Sequence, residues 1–128
     1  MSMTRRRAAP LLLLLLLAPG CHHNQPAGAR PDGEYITYAQ MQERNFTNAY
    51  DAVAALRANW LVVRGVDSFN TPSQIWVYYD QTRLGGVETL RTVTVNSIAY
   101  IRHYSGLDAT TRWGIDHGAG VIFISSRE

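Results

Sequence analysis

The feature that most constrains the fold is an apolar run at residues 121–124, close to the C-terminus. It contains only β-branched and aromatic side chains, with no polar residue between them. A strand with this pattern has no solvated side, which predicts an interior strand buried on both faces. The rest of the chain must then cover it. We therefore expect a small α+β protein with a mixed β-sheet, one main helix and short helical turns.

The loop before this strand, residues 114–120, contains Gly114, Gly118 and Gly120. Glycine adopts positive φ without steric cost and lets another backbone segment approach closely. We expect Gly118 and Gly120 to serve positive φ and close packing. A phosphate-binding role is not expected, because a dinucleotide loop follows a strand and opens a helix, whereas these glycines precede a strand.

Residues 1–20 have the pattern of a secretory signal. Three arginines at residues 5–7 precede an apolar stretch at residues 8–18, and small residues follow it. The stretch is shorter than the about 20 apolar residues that a transmembrane helix needs. Without the three signal arginines, nine basic residues face ten acidic ones, so the remaining chain is close to −1. The arginines are scattered singly, and a nucleic-acid partner is not expected.

Cys21 is the only cysteine, which excludes an intramolecular disulfide. The sequence Ala18-Pro19-Gly20-Cys21 resembles the lipobox of bacterial lipoproteins, although proline is atypical at residue 19. The resemblance implies that Cys21 is acylated and that lipid anchors the chain to a membrane without spanning it. The alternative is an ordinary secreted protein with a spare thiol. His22 follows Cys21 in place of aspartate, and by analogy with lipoprotein sorting we expect the outer membrane, facing the periplasm.

The next segment, residues 21–34, is rich in proline, glycine and polar residues, which predicts a flexible tether. Its adjacent histidines lack a third ligand, so no metal site is predicted there. One folded domain is expected over residues 35–128. Thr37 and Gln40 have the spacing of a capping box, which predicts a short helix ending near Glu43.

A second helix is predicted over residues 48–59, capped by Asn45 or Thr47, because apolar residues recur there at helical spacing. Further along the chain, the pattern predicts strands at residues 74–79 and 99–104, with a turn at Asp80-Gln81 after the first of them. Extended segments are predicted at residues 60–63 and 90–95. A helical turn at residues 96–98, capped by Thr94 or Asn96, and a turn of helix at residues 108–113 complete the predicted elements.

Several of these segments together resemble the plug domain of TonB-dependent outer-membrane receptors. The matching segments are residues 77–86, 90–93, 97–102, 112–114 and 118–124, within a region of about residues 48–127. In that family a strand, an Asp-Gly turn, a second strand, a small helix and a third strand lead into an Asn-Gly-Val-Ile strand. The resemblance implies a plug-like fold in which the turn and loop positions are Asp80, Gly85, Gly86, Gly114, Gly118 and Gly120.

The sequence departs from that family in two ways. Gln81 stands where the family has the glycine of the turn, which disfavours type I′ geometry. No set of barrel strands follows residue 128 in the sequence, so we do not expect this chain to transport a substrate by itself. The resemblance implies a fold, and function must be argued from a site.

No constellation in the sequence indicates an enzyme. Asp108, Asp116 and His117 are the nearest approach to a polar cluster, but no nucleophile adjoins them. A metal would need another ligand brought by folding, such as His103. We instead expect a surface turn in which Asp116 and His117 bind loop backbone groups. No catalytic residue, cofactor or metal is predicted.

The remaining hypotheses concern binding. Tyrosine and tryptophan are numerous in this chain. If helices cover only one face of the sheet, the other face presents exposed aromatic side chains suited to binding a protein or a sugar. The alternative is that helices cover both faces. The leading hypothesis is a non-catalytic, lipid-anchored binding or assembly module that docks on an envelope partner such as a β-barrel. The alternative is periplasmic capture of a small ligand by the glycine-rich loops, and a small metal-dependent hydrolase is the least favoured.

Overall fold

The computed structural model describes residues 33–65 and 72–128. The predictions for the signal, for Cys21 and for most of the tether lie outside these residues. Within the described ranges, no helix combines the length and the apolar character that a membrane span requires.

The centre of the fold is a mixed sheet of five strands in the spatial order β1-β4-β5-β2-β3. The last strand of the chain, β5, runs antiparallel to β4 and parallel to β2. Val121, Ile122 and Ile124 are fully buried, so the prediction of an interior C-terminal strand is confirmed. The small α+β fold is confirmed as well. The strands are β1 (Tyr35–Thr37), β2 (Trp76–Tyr79), β3 (Thr82–Gly85), β4 (Ile98–Tyr104) and β5 (Val121–Ser126).

Three α-helices surround this sheet: α1 (Tyr38–Glu43), α2 (Ala49–Leu56) and α3 (Gly106–Trp113). The capping box of α1 is confirmed, because the Gln40 N–H donates to Thr37 Oγ1 (3.3 Å) and the Thr37 N–H donates to Gln40 Oε1 (2.9 Å). The cap of α2 is Asn48 rather than Asn45 or Thr47. Helix α3 is longer than the single turn predicted, and Ser105 caps it.

Two predicted extended segments are wrong. Trp60 and Leu61 belong to a 3-10 helix, Ala58–Leu61, because the Trp60 N–H donates to the Arg57 carbonyl and tightens the end of α2. Residues 90–95 lie mostly in the 3-10 helices Val87–Thr92 and Val95–Ser97. The spacing of the buried residues Leu90, Val93 and Val95 resembles that of a strand. However, the hydroxyls of Thr89 and Thr92 donate to the carbonyls three residues before them, which stabilises tight helical turns.

Alternate strand residues divide the domain into two layers. We call the first layer the helical face, where α1, α2 and the 3-10 helices cover aliphatic side chains such as Ile36, Val77, Ile101, Ile122 and Ile124. We call the second layer the arginine face, where α3 packs over one part of an aromatic surface. Helices thus lie on both faces, but the second cover is partial. The arginine face comprises Tyr35, Trp76, Tyr78, Arg83, Tyr100, Arg102, Tyr104 and Phe123 from the strands, with Arg112 and Trp113 from α3.

Candidate functional site

The predicted turn at Asp80 ties two strands together. Asp80 has φ of 51°, and its Oδ1 accepts a hydrogen bond from the Ser126 N–H at 2.9 Å. Asn45 and Asp80 are the non-glycine residues with positive φ among residues 33–65 and 72–128, so Gln81 does not adopt the conformation of a type I′ turn. Asp80 therefore has a structural role, fixing the β2–β3 turn to the end of β5.

The predicted glycines have different roles. Gly114 and Gly120 have positive φ, 104° and 101°, as does Gly85 at 141°. Gly118 has an ordinary helical φ of −62°, so the expectation of positive φ there is wrong. Its backbone serves close packing instead, because a Cβ on Gly65 or on Gly106 would overlap the Gly118 carbonyl oxygen.

The predicted loop glycines lie in different elements. Gly85 is the last residue of β3, and Gly86 precedes the 3-10 helix Val87–Thr92. Gly118 is the one predicted turn or loop position that lines the cavity described below.

His117 is buried, with 4% of its surface exposed, which corrects the expectation of a surface turn. Its Nδ1 lies 3.2 Å from the Gly114 carbonyl and its Nε2 lies 2.9 Å from the Tyr78 hydroxyl. Because a carbonyl only accepts, Nδ1 carries the proton, and Nε2 accepts from the hydroxyl in the neutral ring. Asp116 is exposed, and its carbonyl accepts from Trp76 Nε1 (2.9 Å). The loop is held to β2.

The distinctive feature of the arginine face is a set of guanidinium groups lying over aromatic rings. Arg83 lies 4.5 Å from the ring centroid of Trp76, and Arg102 lies 4.3 Å from that of Tyr104. Arg112 lies 4.8 Å from that of Trp113. Each distance is within the range of a cation–π interaction. These contacts hold flexible arginine side chains against the sheet.

The rings under these arginines pack against one another. Trp113 stacks on Tyr78 with a centroid distance of 5.1 Å and meets Tyr104 edge-on at 5.0 Å. Arg112 Nη1 also donates to the Tyr104 hydroxyl at 2.9 Å. Because α3 contributes both Trp113 and Arg112, the helix position sets the geometry of this surface.

Charge is unevenly distributed around this surface. Glu34 Oε2 lies 3.7 Å from Arg102 Nη2, and neither Arg83 nor Arg112 has a carboxylate partner among the ion pairs of the described residues. Arg83 and Arg112 are exposed. Three guanidinium groups thus share one face with a single ion-paired carboxylate.

A second feature is a small cavity of about 180 Å³ at the end of the sheet where β4 stops and β5 starts. Its walls include Arg64, His103, Ser105 and Gly118. His103 stacks on Trp60, with ring centroids 5.4 Å apart and planes 18° apart. Burial lowers the pKa of His103, Glu34 opposes this shift, and Arg64 adds to it. Within residues 33–65 and 72–128, no three His, Cys, Asp or Glu side chains form a metal-binding group.

Sequence reasoning missed the arginine face as a unit. One signal was available in β4, where Tyr100, Arg102 and Tyr104 alternate and must share a face. The contributions of Arg83 and of α3 depend on strand order and helix packing. Comparisons of this chain with models of known protein families, with curated proteins and with solved structures gave no significant match.

Proposed function

We propose that this chain is a non-catalytic binding module of the cell envelope and that the arginine face docks an acidic segment of a partner protein. The observation that carries the proposal is the stacking of Arg83, Arg102 and Arg112 over aromatic rings on one sheet face. Tryptophan, tyrosine and arginine are the residues most enriched at the energetic centres of protein interfaces.

The stacking also favours a particular partner chemistry. A guanidinium that lies over a ring keeps N–H groups at its edge, where they match the two oxygens of a carboxylate. Restraining the side chain before binding reduces the entropy that docking must overcome. The same stacking covers the faces of Trp76 and Trp113 that a sugar ring would use. An acidic protein segment therefore suits this surface better than a neutral glycan.

Exposed apolar side chains flank the same helix. Leu107 in α3 is 80% exposed, and Ile115, directly after α3, is 79% exposed. Large apolar side chains with this exposure are favourable contacts when a partner covers them. Their position supports a docking surface that extends from the arginines onto the outer side of α3.

The location and anchor form part of the same proposal. Acylation of Cys21 would hold the domain at the outer membrane, and the tether at residues 21–34 would let it reach a neighbouring protein. The resemblance to receptor plugs makes a β-barrel protein, or a periplasmic protein that serves a barrel, the first partner to test. The order of the hairpin, the helical turn, β4, α3 and β5 is compatible with that resemblance.

Site-specific photocrosslinking of the full chain in its native envelope tests this function. A photoreactive residue at Leu107 should crosslink to one barrel or barrel-associated protein, whereas the same residue at exposed Ala55 in α2 should not. The crosslink at Leu107 should weaken as salt is added, because exposed charge pairs are screened.

A matched pair of variants links that crosslink to the arginines. Arg83→Gln with Arg112→Gln should reduce it by about tenfold or more, as expected for lost charged hydrogen bonds. Arg91→Gln is the control, because Arg91 also stacks on an aromatic ring, at 3.5 Å from the Tyr50 centroid, but on the other side of the molecule. Equal crosslinking by both variants would refute docking through the arginine face.

A further inference from the structure

The cavity beside His103 has a shape that the backbone maintains. The Gly118 carbonyl lies against Gly65 and Gly106, where neither position has room for a Cβ. Gly120 has φ of 101°, and a Cβ there would lie 2.9 Å from the Tyr104 carbonyl oxygen. Three chain segments therefore meet without intervening side chains. The cavity is preformed, and a ligand would not need to open it.

The formal charge of the described wall has one sign. Among the lining residues that the structure describes, Arg64 is the formally charged one, and none of them carries a carboxylate. Asp108 lies nearby in sequence but accepts a hydrogen bond from Ser105 Oγ at 2.7 Å, as part of the cap of α3. Gly106, the first residue of α3, also lies in the wall, and a helix N-terminus carries partial positive charge. An anion fits this cavity better than a cation.

His103 decides how much charge the cavity offers. Burial lowers its pKa, Glu34 opposes this shift from outside the cavity wall, and Arg64 adds to it. The ring is therefore mainly neutral at pH 7 and supplies one N–H donor. With one full positive charge from Arg64, the cavity matches a monoanion more closely than a phosphate, which carries more than one charge at this pH.

We propose that this cavity is a binding site for a small carboxylate, held by Arg64 with His103 as a hydrogen-bond partner. Asn59 lies in the same wall, and the volume of about 180 Å³ suits a ligand of a few heavy atoms. The site shares no residue with the arginine face. Failure of either proposal therefore leaves the other standing.

Nuclear magnetic resonance of the purified protein tests the site with sodium acetate as the probe. Acetate should produce saturable shifts of the Ala119 amide and raise the pKa of His103, because a bound anion stabilises the imidazolium. Sodium chloride at equal ionic strength should do neither. Sodium phosphate should bind more weakly than acetate. Shifts that do not saturate, or tighter binding of phosphate, would overturn the proposal.

Variants separate binding from stability. Arg64→Gln should weaken acetate binding about tenfold, the usual loss for a charged hydrogen bond. Arg44→Gln, at an exposed arginine after α1, should leave it unchanged. His103→Phe keeps a flat ring beside Trp60 and should weaken binding, followed at the Ala119 amide, while the thermal midpoint changes little. Unchanged acetate affinity in both Arg64→Gln and His103→Phe would contradict the proposal.

Discussion

The helical face and the arginine face are built from alternate residues of the same strands, yet the first is buried and the second is partly exposed. On the helical face, Ile101, Ile122 and Ile124 are fully buried under helices. On the arginine face, Tyr100, Arg102 and Phe123 remain partly exposed. The first face is a closed core that supplies stability. The second keeps polar and aromatic groups at the surface, where they are available to a partner.

The difference shows what a partial cover makes possible. Helix α3 buries Tyr78 and Tyr104 but leaves Arg83 and Arg112 exposed. An aliphatic side chain in that position would expose apolar area, whereas an arginine covers a ring with its stem and keeps its charge in water. The arginines thus shield the aromatic surface from solvent without closing it. We expect mutations to separate stability on one face from binding on the other.

The largest expected effect comes from the core. Ile122→Ala should lower the free energy of unfolding by about 2–5 kcal/mol, because it removes a fully buried side chain and leaves a cavity. Phe123→Ala, one residue along β5 on the arginine face, should have a smaller effect because Phe123 is partly exposed. Urea unfolding measures both. Equal losses would mean that the two faces are equally buried in solution.

The next effect concerns the buried hydrogen bond beneath the arginine face. Tyr78→Phe removes the hydroxyl that lies 2.9 Å from His117 Nε2 and leaves that buried nitrogen without its donor. We expect a loss of about 1–3 kcal/mol in the free energy of unfolding. Tyr79→Phe is a milder control, because its hydroxyl bonds the Ser97 carbonyl at 3.2 Å at a partly exposed site. A larger loss in the control would contradict the prediction.

A smaller effect is expected at the surface arginines. Arg112→Gln should change the free energy of unfolding by about 1 kcal/mol or less, because exposed cation–π contacts contribute little. The same variant should reduce the yield of the Leu107 crosslink by a much larger fraction than it reduces the free energy of unfolding. If thermal unfolding shows that Arg112→Gln destabilises the chain as much as Ile122→Ala, the arginine is part of the core and the separation of faces fails.

The smallest expected effect is a pH dependence of the free energy of unfolding. It comes from His103, which stacks on Trp60 on the helical face. Burial lowers the pKa of His103 in the folded chain below its value in the unfolded chain, near 6.5. The unfolded state therefore gains the proton first as pH falls. Stability from this residue should be complete above the unfolded pKa and decline below it, until the folded pKa is passed. Urea unfolding at a series of pH values should show that His103→Phe loses less of its free energy of unfolding as the pH falls than the unmodified chain does.

Local signals predicted several elements well. The capping box at Thr37 and Gln40 depends on residues three positions apart, and the turn at Asp80 depends on adjacent residues. The strand at residues 121–124 was predictable because its side chains are apolar at every position, although Phe123 on the arginine face stays partly exposed. Each of these features has its physical cause within a short stretch of chain.

Other features depend on neighbours that are distant in sequence. The three-residue strand β1 exists because Ile36 can pair with Ile101 at the edge of β4. Trp60 was expected in an extended segment, but it lies in a 3-10 helix and is buried in the core. His117 was expected at the surface, but it is buried against Tyr78, which lies 39 residues earlier in the chain. The Tyr78 hydroxyl and His117 Nε2 are 2.9 Å apart.

By itself, the amino-acid sequence determined the α+β class, the central position of β5 and the helix cap at Thr37, because hydrophobic pattern and short-range hydrogen bonds act within a few residues. Only the tertiary structure decided that Arg83, Arg102 and Arg112 share one face and that Arg64 and His103 share one cavity. The physical reason is that strand order and helix packing bring side chains together across distances at which the sequence carries no periodic signal.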